Sequence, residues 1–370
     1  MSWYAPHVIL SDVAEYSRTR IEAAAIDTSN FVGVDNLIAN KGGRIDAKYS
    51  PNTTRLTAYE KGDILLGNIR PYLKKVWLAT NCGGCSGDVL AIRIKHQYRD
   101  LINERFLYYL ISSDSFFAYD MQNSKGAKMP RGNKSKIMKY RIPLPNLEVQ
   151  QEIVRILDQF TALEAELEAE LKTRRNQYEH YRNVLLRKRD DEGVRDVALG
   201  EIISLNFGTR ITKKDKLGTL YPVYGGGGES FRTDSFNRED EWVVSRFAMS
   251  ENCVRRVAGQ FWMLDSGFTF DVVDGSVDKD FVGQLLLSMQ PIIFATSTKS
   301  AQKNIDVPGF KRLRVKIPSI PVQRRVVEEL NSFDALVNDM SVGLPAELAA
   351  RRKQYEYYRD QLLTFEEAPA

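Results

Sequence analysis

Seven cations, Lys125, Lys128, Arg131, Lys134, Lys136, Lys139 and Arg141, fall within seventeen residues that contain no acid. Gly126, Pro130, Gly132 and Asn133 interrupt them, so the stretch reads as a loop, and Ile142-Pro143-Leu144-Pro145 reads as a strand that proline ends. Cations on a loop hold phosphate, and an amide such as Asn133 reads a base edge. Nucleic-acid contact therefore fits better than an ordinary solvated charge run. A similar stretch precedes Ile317-Pro318: Lys299, Gln302, Lys303, Asn304, Lys311, Arg312, Arg314 and Lys316, with one acid, Asp306. Its recurrence at the same place favours function. Asn68, Arg70, Tyr72, Lys74 and Lys75 form a polar-aromatic cluster after an apolar run, and Arg210, Lys213 and Lys214 precede Tyr224. Arg246, Arg255 and Arg256 are further candidates. Arginine suits bidentate guanine reading, yet for any one of these residues a plain surface role competes evenly.

Other chemistry is weaker. Cys82-Gly83-Gly84-Cys85 has zinc spacing, but only Cys253, His7, His96 and His180 remain as partners, scattered along the chain, so no metal site is expected. The four glycines 225–228 lack a following Gly-Lys-Ser/Thr, so they read as a flexible loop and not as a nucleotide cradle. There is no Asn-Pro-Pro-Tyr or Asp-Pro-Pro-Tyr methyltransferase motif and no Walker lysine motif. The expectation is a non-catalytic DNA-recognition protein; the alternative is a stand-alone DNA-cleaving enzyme with an unrecognised active site.

The elements that carry these residues follow from pattern and length. A chain of 370 residues suits two domains plus connecting elements. Three cysteines argue against a disulfide framework, no apolar run is long enough to span a membrane, and the N-terminus lacks a secretion signal. A cytoplasmic protein is expected. Residues 1–145 carry 21 Lys/Arg against 13 Asp/Glu, whereas residues 319–370 carry 6 against 9. The first globular segment is thus the basic one, suited to an anion, and the helical segments are suited to protein. Residues 62–69 and 89–94 read as buried strands, 104–111 as a helix, 241–246 as a strand and 281–289 as a helix.

The strongest pattern is a heptad helix written twice, at about 149–188 and 322–365. Arg-Arg-Asn-Gln-Tyr-Glu-His-Tyr-Arg-Asn-Val-Leu-Leu starts at Arg174, and Arg-Arg-Lys-Gln-Tyr-Glu-Tyr-Tyr-Arg-Asp-Gln-Leu-Leu starts at Arg351, 177 residues later. A repeat of this length means two similar halves about a pseudo-two-fold axis. The heptads run Ile153, Leu157, Phe160, Glu164, Leu167, Leu171, Arg174, Tyr178, Tyr181, Leu185, and in the second copy Val326, Leu330, Phe333, Val337, then Leu344, Leu348, Arg351, Tyr355, Tyr358, Leu362. Arg174 and Arg351 fall on the seam, as snorkelling side chains or as a register device, and the four tyrosines read as packing or partner contacts. Thr161-Ala162-Leu163-Glu164 fits a capping box, which would kink or restart the first helix. Gly343-Leu344-Pro345 should break the second. An antiparallel pair with a globular domain at each end follows. A run of 33 residues spans about 50 Å, or roughly 15 base pairs of duplex, so the helices would act as a ruler.

This plan resembles the specificity (S) subunit of type I restriction-modification systems. The likeness lies in the Ile-Pro and Val-Gln pieces at 142–150 and 317–323, in the Arg-Arg-x-Gln-Tyr-Glu-x-Tyr-Arg-x-x-Leu-Leu repeats, and in Tyr221-Pro222-Val223-Tyr224-Gly225 and Gly62-Asp63-Ile64-Leu65 with Ile69-Arg70-Pro71. The resemblance implies an α+β chain: target recognition domain 1 at 1–145, helical spacer 1 at 146–189, target recognition domain 2 at 190–318 and helical spacer 2 at 319–370. It implies that each recognition domain reads one half of a split double-stranded DNA target. Two methyltransferase (M) subunits would dock on the helices through residues such as Arg174, Tyr178, Tyr181, Arg351, Tyr355 and Tyr358, with restriction (R) subunits joining them. The chain itself would carry no cofactor. The complex would need S-adenosylmethionine for DNA methylation, and ATP with Mg for restriction in phage defence.

Overall fold

The computed structural model describes residues 4–187, 193–212, 218–247, 250–298, 303–338 and 343–367. The chain divides into two compact units: Met1–Glu166 with Ala349–Ala370, and Leu167–Leu348. Each unit therefore takes a globular segment and a part of both long helices.

In the first unit, alternation of apolar residues builds two four-stranded sheets. One runs, in spatial order, Ala14–Tyr16, Val89–Ile94, Ile64–Gly67, Val76–Leu78, with antiparallel neighbours. The other runs Arg20–Glu22, Arg55–Tyr59, Gly83–Cys85, Phe31–Val32, the last pair parallel. The helix Glu104–Ile111, capped by the Asn103 side chain, buries Phe106, Leu107 and Leu110 against Leu66, Ile92 and Ile153 in one core. Arg141–Pro143 pairs with His7–Ile9, and Tyr4–Ala5 pairs in parallel with Glu366–Glu367.

The second unit has a six-stranded sheet in the order Ile203–Phe207, Gly267–Val272, Arg238–Ser245, Val254–Met263, Tyr221–Gly225, Gly228–Thr233. The helix Lys279–Ser288, capped by Asp278, buries Phe281, Val282 and Leu286 against it. Gly225 pairs with Gly228, so the four glycines form a hydrogen-bonded hairpin turn rather than the flexible loop expected. Glycine is required here, since a Cβ on Gly226 would stand 2.6 Å from Phe247 O.

The first long helix runs unbroken over Leu147–Arg187. The capping-box restart at Thr161 does not occur: its Oγ1 donates to Leu157 O at 3.0 Å, a bond that keeps the hydroxyl within the helix. The second repeat is two helices, Ile320–Asn338 and Leu344–Leu363. Gly343 lies between them at φ +82, and a Cβ there would stand 2.4 Å from Leu336 O. Within the first unit Phe160 packs on Tyr355 and Tyr358, and Glu164 pairs with Arg352 at 2.6 Å; within the second Tyr181 packs on Phe333. Rising numbers on one helix meet falling numbers on the other, the antiparallel sense expected.

The buried stripe differs from the heptad reading. The more buried repeat positions are Leu171, Tyr178, Arg182 and Leu186, matched by Leu348, Tyr355, Arg359 and Leu363. A straight helix drifts from a strict 3.5-residue repeat, so after Tyr178 the stripe steps by four and four. Arg174 and Arg351 are consequently exposed, with Arg174 paired to Glu170 at 3.4 Å, and Tyr181 and Tyr358 are exposed too. The inward arginines are Arg182 and Arg359, which the heptad count does not select.

Candidate nucleic-acid interface

The strand Ile64–Gly67 ends at Asn68, whose N–H donates to Asp88 O at 2.8 Å. The chain then turns sharply. Arg70 (φ +53) and Lys74 (φ +49) both adopt the left-handed conformation around the short turn Pro71–Leu73. Such conformations cost of order 1 kcal/mol each and persist where surroundings enforce them. The basic loop supplies the enforcement: Arg70 N–H donates to Pro130 O at 2.7 Å, Gly132 N–H donates to Asn68 O at 3.0 Å, and Lys125 and Arg131 exchange two backbone bonds at 2.9 Å. Two clusters more than fifty residues apart in sequence thus share one surface.

That surface holds two cavities. One of about 510 Å³ is lined by Asn68, Lys125, Arg131, Asn133 and Lys134. The other, about 1010 Å³, is lined by Arg70 and Lys75 and also by Lys48, Tyr49 and Asn52. Sequence reasoning missed the last three. Tyr49 is 82% exposed beside Pro51, and an aromatic next to a proline turn was the available signal.

The expected contacts divide by what their side chains already do. Arg70, Tyr72, Lys125, Lys128, Arg131 and Lys134 are exposed, with Arg131 reaching Asp88 at 3.3 Å. Lys74 Nζ is held by Asp114 at 2.6 Å, and Lys75 Nζ donates to Val34 O at 2.7 Å. Asn133 caps the helix Lys134–Ile137 and accepts from Ser135 Oγ at 2.8 Å, so its oxygen is engaged within the fold. The expected loop is partly helical for that reason. Asn68 is only 4% exposed; its Oδ1 and both Asp120 carboxylate oxygens crowd the point where a Gly132 Cβ would stand, and none has a hydrogen-bond partner. Burial pushes the Asp120 carboxyl up to about 6 and raises the nearby Tyr16 hydroxyl.

In the second unit, Arg246 stands between the rings of Phe207 and Phe247, at 4.8 and 4.7 Å. Its carbonyl accepts from Ile305 N–H at 2.9 Å, which joins it to the second basic stretch. There Lys303 Nζ lies 4.9 Å from the Phe294 ring, and Asn304 N–H donates to Thr298 Oγ1 at 3.1 Å. Arg210 is exposed just after Thr209, which Met263 O fixes at 2.9 Å. Tyr224 packs edge-on to Phe261. Arg255 turns inward, donating to Gly225 O and Gly226 O at 2.9 and 2.7 Å. Lys213, Lys214, Lys299 and Gln302 lie outside the described residues.

Cys85 is a core group: its thiol is buried, donates to Val89 O at 3.6 Å and is pushed up to about 12 by burial, while Cys82 is exposed. The exposed set of cations, amides and aromatic rings suits phosphate oxygens and base edges.

Comparison with known proteins gives the same direction. Residues 8–173 match the family model described as Type I restriction modification DNA specificity domain. The EcoprrI specificity subunit of Escherichia coli is 30% identical over 273 residues, 68% of this chain and 66% of that protein. The EcoR124I/EcoR124II specificity subunit of Escherichia coli is 30% identical over 260 residues, 61% of this chain and 63% of that protein. Among solved structures, an S subunit from M. genitalium aligns with TM-score 0.56 and 14% identity over 98% of this chain and 97% of its own. A chain from a study of assembly and conformational transition in the type I R-M system aligns with TM-score 0.63 and 19% identity, over 98% and 97%. The chain belongs to the type I restriction-modification specificity-subunit family.

Proposed function

We propose that this chain is the sequence-reading subunit of a type I restriction-modification complex. It binds double-stranded DNA at a split target, one half per globular segment, and docks two methyltransferase subunits and the restriction subunits through its helices. The observation that carries the reading is the joining of the turn at Arg70 to the basic loop through Arg70 N–H and Pro130 O, which gathers Arg70, Lys125, Arg131 and Lys134 around two cavities. Tyr181 and Phe333 in the second unit and Tyr358 in the first are exposed aromatic groups of the repeats and suit docking. S-adenosylmethionine, and ATP with Mg, would be held by the partner subunits. Chemistry then belongs to those partners, and this chain supplies position.

The test is binding and methylation by the full complex. It should bind one duplex at least ~10³-fold more tightly than random DNA. Arg70→Ala with Tyr72→Ala should relax one half-site, and Lys128→Ala should weaken binding to all sequences alike and lessen the salt dependence. Magnesium-dependent cleavage by this chain without partners would replace the reading with that of a nuclease.

A further inference from the structure

Arg359, in the second copy of the helical repeat, is only 2% exposed although it carries a full charge. Its Nη2 donates to Asp114 Oδ2 at 2.8 Å, and Asp360 Oδ1 accepts from the same guanidinium at 2.8 and 3.1 Å. The other oxygen of Asp114 accepts from Lys74 Nζ at 2.6 Å and Lys41 Nζ at 3.0 Å. One carboxylate thus gathers cations from three separate places: the helical repeat, the turn that bears Arg70 and Tyr72, and the segment around Lys41.

Those last two are also tied by their backbones. Asn40 N–H donates to Leu73 O at 2.8 Å and Lys41 N–H to Lys74 O at 2.9 Å. Asn40, Lys41 and Lys74 all have left-handed backbones, at φ +55, +63 and +49. The turn is therefore held in an unfavourable conformation from both sides, by Pro130 at its start and by Asp114 at its end. The arrangement depends on each member. Without Arg359, Asp114 loses the partner that fixes its Oδ2. Without Asp114, three cations stand together partly out of water, where Lys41 already has its pKa lowered by burial and by the charge of Arg359.

The repeat supplies an internal contrast. Arg182 occupies the same position in the first copy, and both guanidinium groups lie over the tyrosine four residues before them, at 5.1 Å from the Tyr178 ring and 5.8 Å from the Tyr355 ring, but Arg182 Nε has no hydrogen-bond partner where Arg359 Nε donates to Asp360.

We propose that Arg359 is a positioning residue for DNA recognition: acting through Asp114, it fixes the turn 70–74 and so sets which half-site the first unit accepts. The proposal rests on the reading of that turn as a DNA contact. It places a determinant of sequence choice on a helix of the repeat.

The test uses the full chain with its methyltransferase subunits. Binding constants are measured on the cognate duplex and on duplexes with single changes in either half-site, and thermal unfolding checks that each variant is folded. Arg70→Ala first identifies the half-site read by the first unit. Arg359→Gln and Asp114→Asn should then each cost about tenfold in discrimination at that half-site, the scale of one well-placed base contact. The other half-site should be unaffected. The double variant should lose no more than either single one, Arg359→Lys should recover part of the loss, and Arg182→Gln should leave that half-site's discrimination intact. Equal losses at both half-sites, weaker binding with unchanged discrimination, or no effect of Arg359→Gln would overturn the proposal. If Arg70→Ala relaxes neither half-site, the turn is not a reader, and the functional reading of this surface fails independently of Arg359.

Discussion

Asp120 is the group whose chemistry is least comfortable in its place. It is 1% exposed, its two carboxylate oxygens have no hydrogen-bond partner, and its carboxyl titrates near 6 rather than in the usual range. A raised acid pKa means that the folded state holds the proton more firmly than the unfolded chain. The stability this provides is present below the ordinary carboxylate pKa of about 4 and is lost as pH rises through about 6. Asp120→Asn should therefore stabilise the first unit by up to about 2–3 kcal/mol at pH 8, with the gain shrinking towards pH 4. Urea unfolding at several pH values measures it, and a gain independent of pH would contradict the account. No sequence pattern marks Asp120, since a lone acid in Ala118-Tyr119-Asp120-Met121 reads as surface. The exposed cations beside it were legible because loops punctuated by glycine and proline carry them. The capping role of Asn133 was not legible, because it depends on a short helix that the charge pattern conceals.

At the scale of elements, the Val-Gln pairs at 149–150 and 322–323 prove to be joints. Gln150 is fully buried; its Nε2 donates to Leu101 O at 3.0 Å and Pro145 O at 2.8 Å, and its Oε1 accepts from Asn103 N–H at 2.9 Å. Gln323 repeats this with Ser276 O at 2.9 Å, Pro318 O at 2.7 Å and Asp278 N–H at 2.8 Å. One amide thus binds the strand end, the start of the long helix and the cap of the domain helix, using both its donors and its acceptor. Gln150→Ala and Gln323→Ala should each cost about 2–4 kcal/mol, because the partners left behind are buried. Calorimetry should show the transition of the affected unit falling in each case, and a shift below about 0.5 kcal/mol in either would count against the joint. The repeat was visible in sequence as identity, but its purpose required three backbone groups that the sequence does not bring together. The heptad register holds at Ile153, Leu157, Leu171 and Tyr178 and departs from the buried stripe at 181 and 358, for the opposite reason. It selects Arg174 and Arg351 for the seam, whereas the arginines of the buried stripe are Arg182 and Arg359, and Arg359 is accommodated by an acid 245 residues away.

For the molecule as a whole, the sequence shows a basic first segment, two helices of one pattern and two Ile-Pro junctions. The division into compact units falls inside the helices, at Glu166 and at Leu348, so the helices belong to both units. This is where the spacer idea is best tested. Four residues of matching helical pattern inserted in both helices near 166 and 348 lengthen each by about 6 Å, roughly two base pairs of duplex. Methylation mapping should then show a longer spacer between unchanged half-sites. Altered half-sites, or an unchanged spacer, would reject the ruler.

Tyr4 and Ala5 lie in parallel register with Glu366 and Glu367, and Arg141 clasps Glu367 at 2.5 Å. The first and last described strands are thus neighbours, about 5 Å apart as paired strands are. Within the first unit the path of the described residues thus returns to the strand from which it sets out. A short linker across that gap, with a cut between the two globular segments instead, would preserve every pairing described above. For a protein of two like halves, the order in which a gene spells them is then a matter of history rather than of mechanics.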